Sequence, residues 1–228
     1  MDTVKTAKEG IFFWSVFGVA VGLMITSWLW LPLVEFMFTP DYAAAATSDT
    51  VTVTASVTTV LSCSTDITTT DFGTLTDSVV TTSSVSASTT MACTNSSAGC
   101  TLNIQDVGDT SNPGLWNSTS SALIESPNAA FSATATLVAG TEGFGIRATT
   151  SSAGGGQVFS LLARYSQSGE LSGSAEDVGG LSVTNLILAS TTASTSGREV
   201  VVTHKAAIAT LTPGGTYNDT ITYSCLAN

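Results

Sequence analysis

The chain has 228 residues, with 6 Lys and Arg against 17 Asp and Glu, one histidine and a formal net charge of −11. Such a shortage of cations disfavours nucleic acid, which is bound largely by neutralising phosphates, and equally disfavours docking on anionic membranes. One histidine and no C-x-x-C pair leave a zinc site without a ligand set.

Residues 1–9 are short and polar, with Lys5 and Lys8 as their only cations, and an apolar run follows from Ile11 to Val34. Glu35, Phe36, Met37, Phe38, Pro40 and Asp41 then lead into the tract Ala43 to Ala46. Lysines, an apolar stretch and small residues in that order describe a secretory signal cut at an A-x-A-type site. The expected cut follows Ala46, giving a signal peptide over 1–46 and an exported domain over 47–228. The run exceeds the usual h-region of about 7–15 residues, so a retained transmembrane anchor is the competing reading. Lys5 and Lys8 would then face the cytoplasm, and the membrane would be met only through residues 11–38. Either reading puts 47–228 outside the cytoplasm, in the extracellular space or on the cell surface.

Thr, Ser, Val, Ala and Gly dominate the exported part, which carries four cations against thirteen acids. β-Branched Thr and Val lose rotamer freedom in helices and favour strands, so an all-β domain is expected. Thr50 to Val57 alternates with period two, placing Val51, Val53, Ala55 and Val57 on one strand face. Val60, Leu61 and Cys63 continue it. Val85 to Cys93 forms a second long strand, and the turn Thr94 to Gly99 leads to a hairpin partner over Cys100 to Gln105. Residues 106–130 are loop-rich around Asn112-Pro113-Gly114, with Trp116 and Leu123-Ile124 on a short strand. Phe131 to Val138, Phe144 to Arg147, Val158 to Leu162, Leu181 to Leu188, Arg198 to Ile208 and Thr216 to Leu226 supply the remaining strands. Gly154 to Gly156 marks a mobile turn. Short strands punctuated by turns predict a single Ig-like or jelly-roll-type β-sandwich behind the N-terminal signal or anchor helix.

Cys63, Cys93, Cys100 and Cys225 are an even set in an exported chain and predict two disulfides, with three possible connectivities. His204 lies on an expected strand without a G-x-S-x-G motif elsewhere, so it reads as a surface strand histidine rather than a catalytic base. Asp106, Asp109 and Asn112 have the oxygen ligands that Ca²⁺ takes, but not the spacing of an EF-hand; a solvated loop is the expected role. Gly154 to Gly156 is followed by no Lys and no helix, unlike a phosphate loop. Asn95, Asn117 and Asn218 stand in N-x-S/T sequons. No residue set points to an enzyme, a cofactor or a metal.

The strand ending at Cys63, the pair Phe72-Gly73 and the strand ending Met91-Ala92-Cys93-Thr94-Asn95 resemble spore-coat protein U-like domains and subunits of chaperone–usher pili. In those domains a cysteine on the first strand pairs with one near the end of the second, which implies Cys63–Cys93. Pairing of the strands 100–105 and 216–226 in an Ig-like sandwich favours Cys100–Cys225 for the other bridge. Cys93–Cys100 with Cys63–Cys225 is the alternative. The same resemblance implies assembly by strand addition, with 47–57 of one subunit entering the next; the segment equally suits the first strand of its own sandwich.

Thr212-Pro213-Gly214-Gly215-Thr216-Tyr217 and the strand after it resemble the ends of WxL-type cell-wall-binding domains, although Tyr223-Ser224-Cys225-Leu226 stands where the Trp-x-Leu signature would. Thr141 to Ile146 is similar to segments of uncharacterised exported β-proteins. The expected function is therefore a non-catalytic structural or adhesive surface subunit, pilus- or coat-like, that self-assembles into an oligomer or filament. A tethered module binding cell-wall glycan is the alternative.

Overall fold

A computed structural model describes residues 50–127 and 133–228. The segment 11–38, the Ala46–Thr47 junction and Phe131 lie outside the described residues. Among those described, no helix is long and apolar enough to cross a membrane. The chain divides into two compact units, Met1–Thr54 and Ala55–Asn228, and the architecture below is that of the second.

The unit is all-β and antiparallel. One sheet runs in the order β1 (Val60–Thr65), β3 (Ala87–Thr94), β13 (Thr195–Ala207), β8 (Gly143–Thr150), β11 (Asp177–Gly179) and β7 (Thr134–Thr136). β13 is its axis. Along one side it pairs with β3 and then with the two-residue β2 (Thr81–Thr82), so 81–94 forms one interrupted neighbour. Along the other it pairs with β8 and then with β9 (Gly155–Gly156). The Gly154 to Gly156 turn is thus hydrogen-bonded into the sheet edge. Gly154 has φ +80°, and a Cβ there would lie 2.2 Å from the Gly197 carbonyl oxygen, so a side chain is excluded both by backbone strain and by contact.

The second sheet runs β10 (Ser160–Leu161), β12 (Leu186–Ser190), β4 (Cys100–Asp106) and β14 (Ile221–Ala227). A small hairpin, β5 (Gly114–Asn117) with β6 (Ala122–Glu125), stands apart and touches the chain before β14 through paired amides of Trp116 and Asn218, at 2.8 and 2.9 Å. The closing strand pairs with β4, as the strand order of an Ig-like sandwich suggested. β3 and β4 do not form the expected hairpin: the turn between them carries the chain from one sheet to the other.

Alternation explains the core. On β13, Val200, Val202, His204 and Ala206 point to one face; on β4, Leu102 and Ile104 do the same, and these residues are buried with Met91, Phe144, Ile146 and Leu188 in a single cluster between the sheets. Each such aliphatic side chain contributes about 1.5–3 kcal/mol on full burial. Beyond Val202 the other face of β13 is also covered, since Ala207 packs with Leu137 and Val178. This arrangement is that of two sheets packed across one core.

The bridges are Cys63–Cys225 and Cys93–Cys100. The favoured set, Cys63–Cys93 with Cys100–Cys225, is therefore wrong, and strand register is the reason. In β1–β3, Cys63 lies opposite Met91, two residues from Cys93. In β4–β14, Cys225 lies opposite Leu102, two residues from Cys100. Both rejected pairs are diagonal neighbours, about 7–8 Å apart, beyond the Cα separation of about 4.4–6.8 Å that a disulfide spans. The observed pairs sit at 6.0 and 6.3 Å. Two disulfides suit an oxidising, extracellular environment.

Candidate functional site

At one end of the sandwich a groove of about 830 Å³ opens between residues 67–75, which follow β1, and residues 212–223, which lead into β14. Its floor is built from the sheets by Phe144 of β8, His204 of β13 and Leu115 of β5. Phe72 stands edge-on to Phe144, with ring centroids 6.2 Å apart, and Phe144 stacks parallel to the His204 ring at 6.4 Å. The Phe72-Gly73 pair is placed by a local turn, in which Asp71 Oδ1 accepts the Gly73 amide at 2.8 Å. On the facing wall Tyr217 donates its hydroxyl to the Pro213 carbonyl at 2.9 Å.

His204 is not a surface residue. It is 4% exposed, because its position on β13 shares the inward face with Val200, Val202 and Ala206. Burial lowers its pKa to about 4, so the ring is neutral at physiological pH. Its Nδ1 has no hydrogen-bond partner.

The loop that suggested oxygen ligands divides in two. Asp109 is spent on its own turn: Oδ1 accepts the amides of Ser111 and Asn112 at 2.8 and 2.6 Å, and Oδ2 accepts Asn112 Nδ2 at 3.2 Å. These bonds hold its carboxyl below the usual range. Asp106 turns inward instead and is 1% exposed. Its side chain meets that of Asp219, and two carboxyls can hydrogen-bond only through a shared proton. Burial first, and then the neighbouring Asp219 charge, push the Asp106 pKa far above the carboxylate range; burial also raises that of Asp219. Amides hold the outer oxygens: Gly114 N–H donates to Asp106 Oδ1 at 3.3 Å, while Gly108 and Thr220 donate to Asp219 Oδ1 at 3.1 and 2.7 Å. Among the described residues neither Oδ2 has a hydrogen-bond partner. Tyr223 has a buried hydroxyl without a hydrogen-bond partner among the described residues, and its pKa is raised by burial and then by the Asp219 charge. Asp219 and Tyr223 line the groove.

The proposed assembly residues lie elsewhere. Thr50 to Thr59 carries no strand, and Val51, Val53 and Val57 are 85%, 87% and 75% exposed; Ala55 is also exposed. Among the described residues the sheet begins at Val60. Of the sequons, Asn117 is buried, whereas Asn95 and Asn218 are exposed. Sequence reading missed Asp219 as the partner of Asp106. The register that aligns Ile221 with Asp106 brings the two carboxyls near each other, and no local pattern reports it.

No protein-family model, curated protein or solved structure matches this chain.

Proposed function

We propose that the chain is a non-catalytic structural or adhesive subunit of the cell surface, an Ig-like or jelly-roll-type sandwich that self-assembles by adding its N-terminal segment as a strand to a neighbouring copy. The observation that carries this reading is the segment Thr50–Thr59: alternating and β-branched, it joins no sheet among the described residues and leaves three valines exposed. Such a strand gains main-chain hydrogen bonds and buries its valines only against a partner. Edges left unpaired among the described residues favour the reading too. β1 ends one sheet and β14 ends the other, and both present exposed apolar side chains, Val60, Leu61 and Leu226. The two disulfides accord with export behind residues 1–46.

Deletion of Thr47 to Val57 tests it. The intact exported chain should form oligomers or filaments by light scattering and electron microscopy, and the deleted chain should remain monomeric. A monomer at all concentrations, unaffected by the deletion, would contradict the proposal.

The groove favours a second reading, a surface module that binds cell-wall glycan. Phe72 and Tyr217 on opposing walls, with hydroxyl-bearing threonines around them, offer the apolar and hydrogen-bonding contacts a sugar takes. Retention on isolated wall material that Tyr217→Ala abolishes would support it; no retention would remove it.

A further inference from the structure

We propose that the Cys63–Cys225 bridge is a thiol-operated latch on β1, and that an opened chain trades β1 with a second copy, so that the bridge closes again between the two chains. The two bridges differ in access. Cys93 and Cys100 are fully buried, whereas Cys63 is exposed and Cys225 half-buried. Disulfide exchange requires a thiolate to reach a sulfur, so a small dithiol meets Cys63–Cys225 first. One of its thiolates attacks the bridge to give a mixed disulfide, and its second thiol closes on that intermediate. The two cysteines leave as thiols and the reductant as a cyclic disulfide.

Once the latch is open, little else holds β1. It stands at the edge of its sheet, paired with β3 alone among the described strands, and none of its six residues is buried. Val60 and Leu61 are already half-exposed, so departure uncovers little further apolar surface. The side-chain hydrogen bonds around it are long: Thr59 Oγ1 donates to the Asn95 carbonyl at 3.5 Å, Asn95 Nδ2 to the Thr58 carbonyl at 3.2 Å, and the Thr65 and Thr89 hydroxyls meet at 3.4 Å. The flanks also permit it. Thr50–Thr59 carries no strand before it, and residues 66–69 after it are neither helix nor strand. The chain is anchored again beyond them, where Thr70 Oγ1 donates to the Val85 carbonyl at 2.7 Å, the Ser84 amide donates to the Asp71 carbonyl at 2.7 Å, and Phe72 meets Phe144. Residues 66–69 are the hinge.

The second copy is the partner that fits. Loss of β1 bares the edge of β3 from Thr89 to Thr94, and the strand that matches this edge in register is β1 itself. Each opened chain offers both the strand and the vacancy, which is the condition for swapping an identical element between copies. An incoming Cys63 lands opposite Met91 and faces Cys225 as before. A small disulfide then reoxidises the pair, now between chains, and is itself reduced to thiols. This goes beyond strand addition by Thr50–Thr59, which needs neither cysteine.

The test mixes isotope-labelled and unlabelled full-length chain, opens it with dithiothreitol without denaturant, and returns it at high concentration to oxidised glutathione. Alkylation during reduction should mark Cys63 and Cys225 roughly tenfold or more ahead of Cys93 and Cys100. Hydrogen exchange in the same interval should show Val60–Thr65 losing protection while the amides of β13 keep theirs. After reoxidation, peptide mapping should find Cys63 of a labelled chain joined to Cys225 of an unlabelled one, and non-reducing electrophoresis should show dimers that reductant resolves. Both bridges opening together, or protection lost across β13, would overturn the latch; Cys63–Cys225 links confined to a single isotope would overturn the exchange. Deleting Thr47 to Val57 should leave the mixed links in place, so this proposal and strand addition fail separately.

Discussion

Cys63 and Cys225 stand 162 residues apart in sequence and 6.0 Å apart at their Cα atoms, joining the outermost strand of one sheet to the outermost strand of the other. Cys63 shares a face with Met91 and Cys225 with Leu102, two residues fully enclosed in the common core, so the bridge closes the margin where the two sheets would otherwise part.

The two bridges should differ in worth. Cys63–Cys225 closes a long loop and should contribute about 4–5 kcal/mol by constraining the unfolded chain, whereas Cys93–Cys100, seven residues apart, should contribute about 2–3. Paired serine substitutions compared by denaturant unfolding check the order. Peptide mapping without reductant should recover these links and neither Cys63–Cys93 nor Cys100–Cys225.

His204 should make the fold acid-sensitive. In the unfolded chain it binds a proton near pH 6.5, but in the fold only near 4, because burial penalises the charged ring. Its contribution is complete above pH 6.5 and is lost as pH falls through 4, a total of roughly 3 kcal/mol. Unfolding free energies of the wild type and His204→Leu, measured from pH 4 to 8, should converge as the pH drops. Parallel curves would contradict the burial of a neutral ring.

The Lys205–Glu176 pair should respond asymmetrically. Lys205 is nearly enclosed while Glu176 is partly solvated, with side-chain exposures of 10% and 36%. Glu176→Gln leaves an enclosed ammonium without its counter-charge and should cost about 1–3 kcal/mol, screening having already weakened the pair. Lys205→Met removes the enclosed charge itself and should cost less than about 1 kcal/mol. Thermal unfolding of both variants checks the order, and the reverse order would show that the pair is held by the carboxylate's surroundings.

Much of the sheet framework was legible because alternation survives wherever one face is buried and the other is wet. Leu102 and Ile104 on β4 and the closing strand around Tyr223 were found that way, while their pairing came from the strand order of an Ig-like sandwich. His204 was misplaced because Val200, Val201 and Val202 are all apolar, so the sequence does not say which face of β13 is inward, and His204 shares that face with Val200 and Val202. The disulfides were misassigned for a different reason. Topology brings strands together, but a bridge depends on register to within one residue, and Cys63 and Cys225 each fall two residues from the partner first chosen. Asp106 was noticed with Asp109 because they are neighbours in sequence. Its true partner, Asp219, is supplied by strand pairing 113 residues away. Thr50 to Val57 has the pattern of a strand yet joins no sheet among the described residues, since alternation prescribes a face and not the partner that covers it.

The valines of that segment should govern assembly. Val53→Asp places a charge on the face to be buried and should weaken self-association at least tenfold without lowering the melting temperature of the monomer, since Val53 is 87% exposed there. Sedimentation velocity over a concentration series, with melting curves alongside, separates the two effects.

Hydrogen exchange of the amides over 50–57, followed in the full-length chain from dilute to concentrated solution, tests the central claim most directly. Strand addition predicts that these amides exchange freely in the monomer and become protected in step with the oligomer, while the amides of β13 stay protected throughout. Oligomers whose 50–57 amides still exchange freely, or a chain that remains monomeric and unprotected there at every concentration, would contradict it.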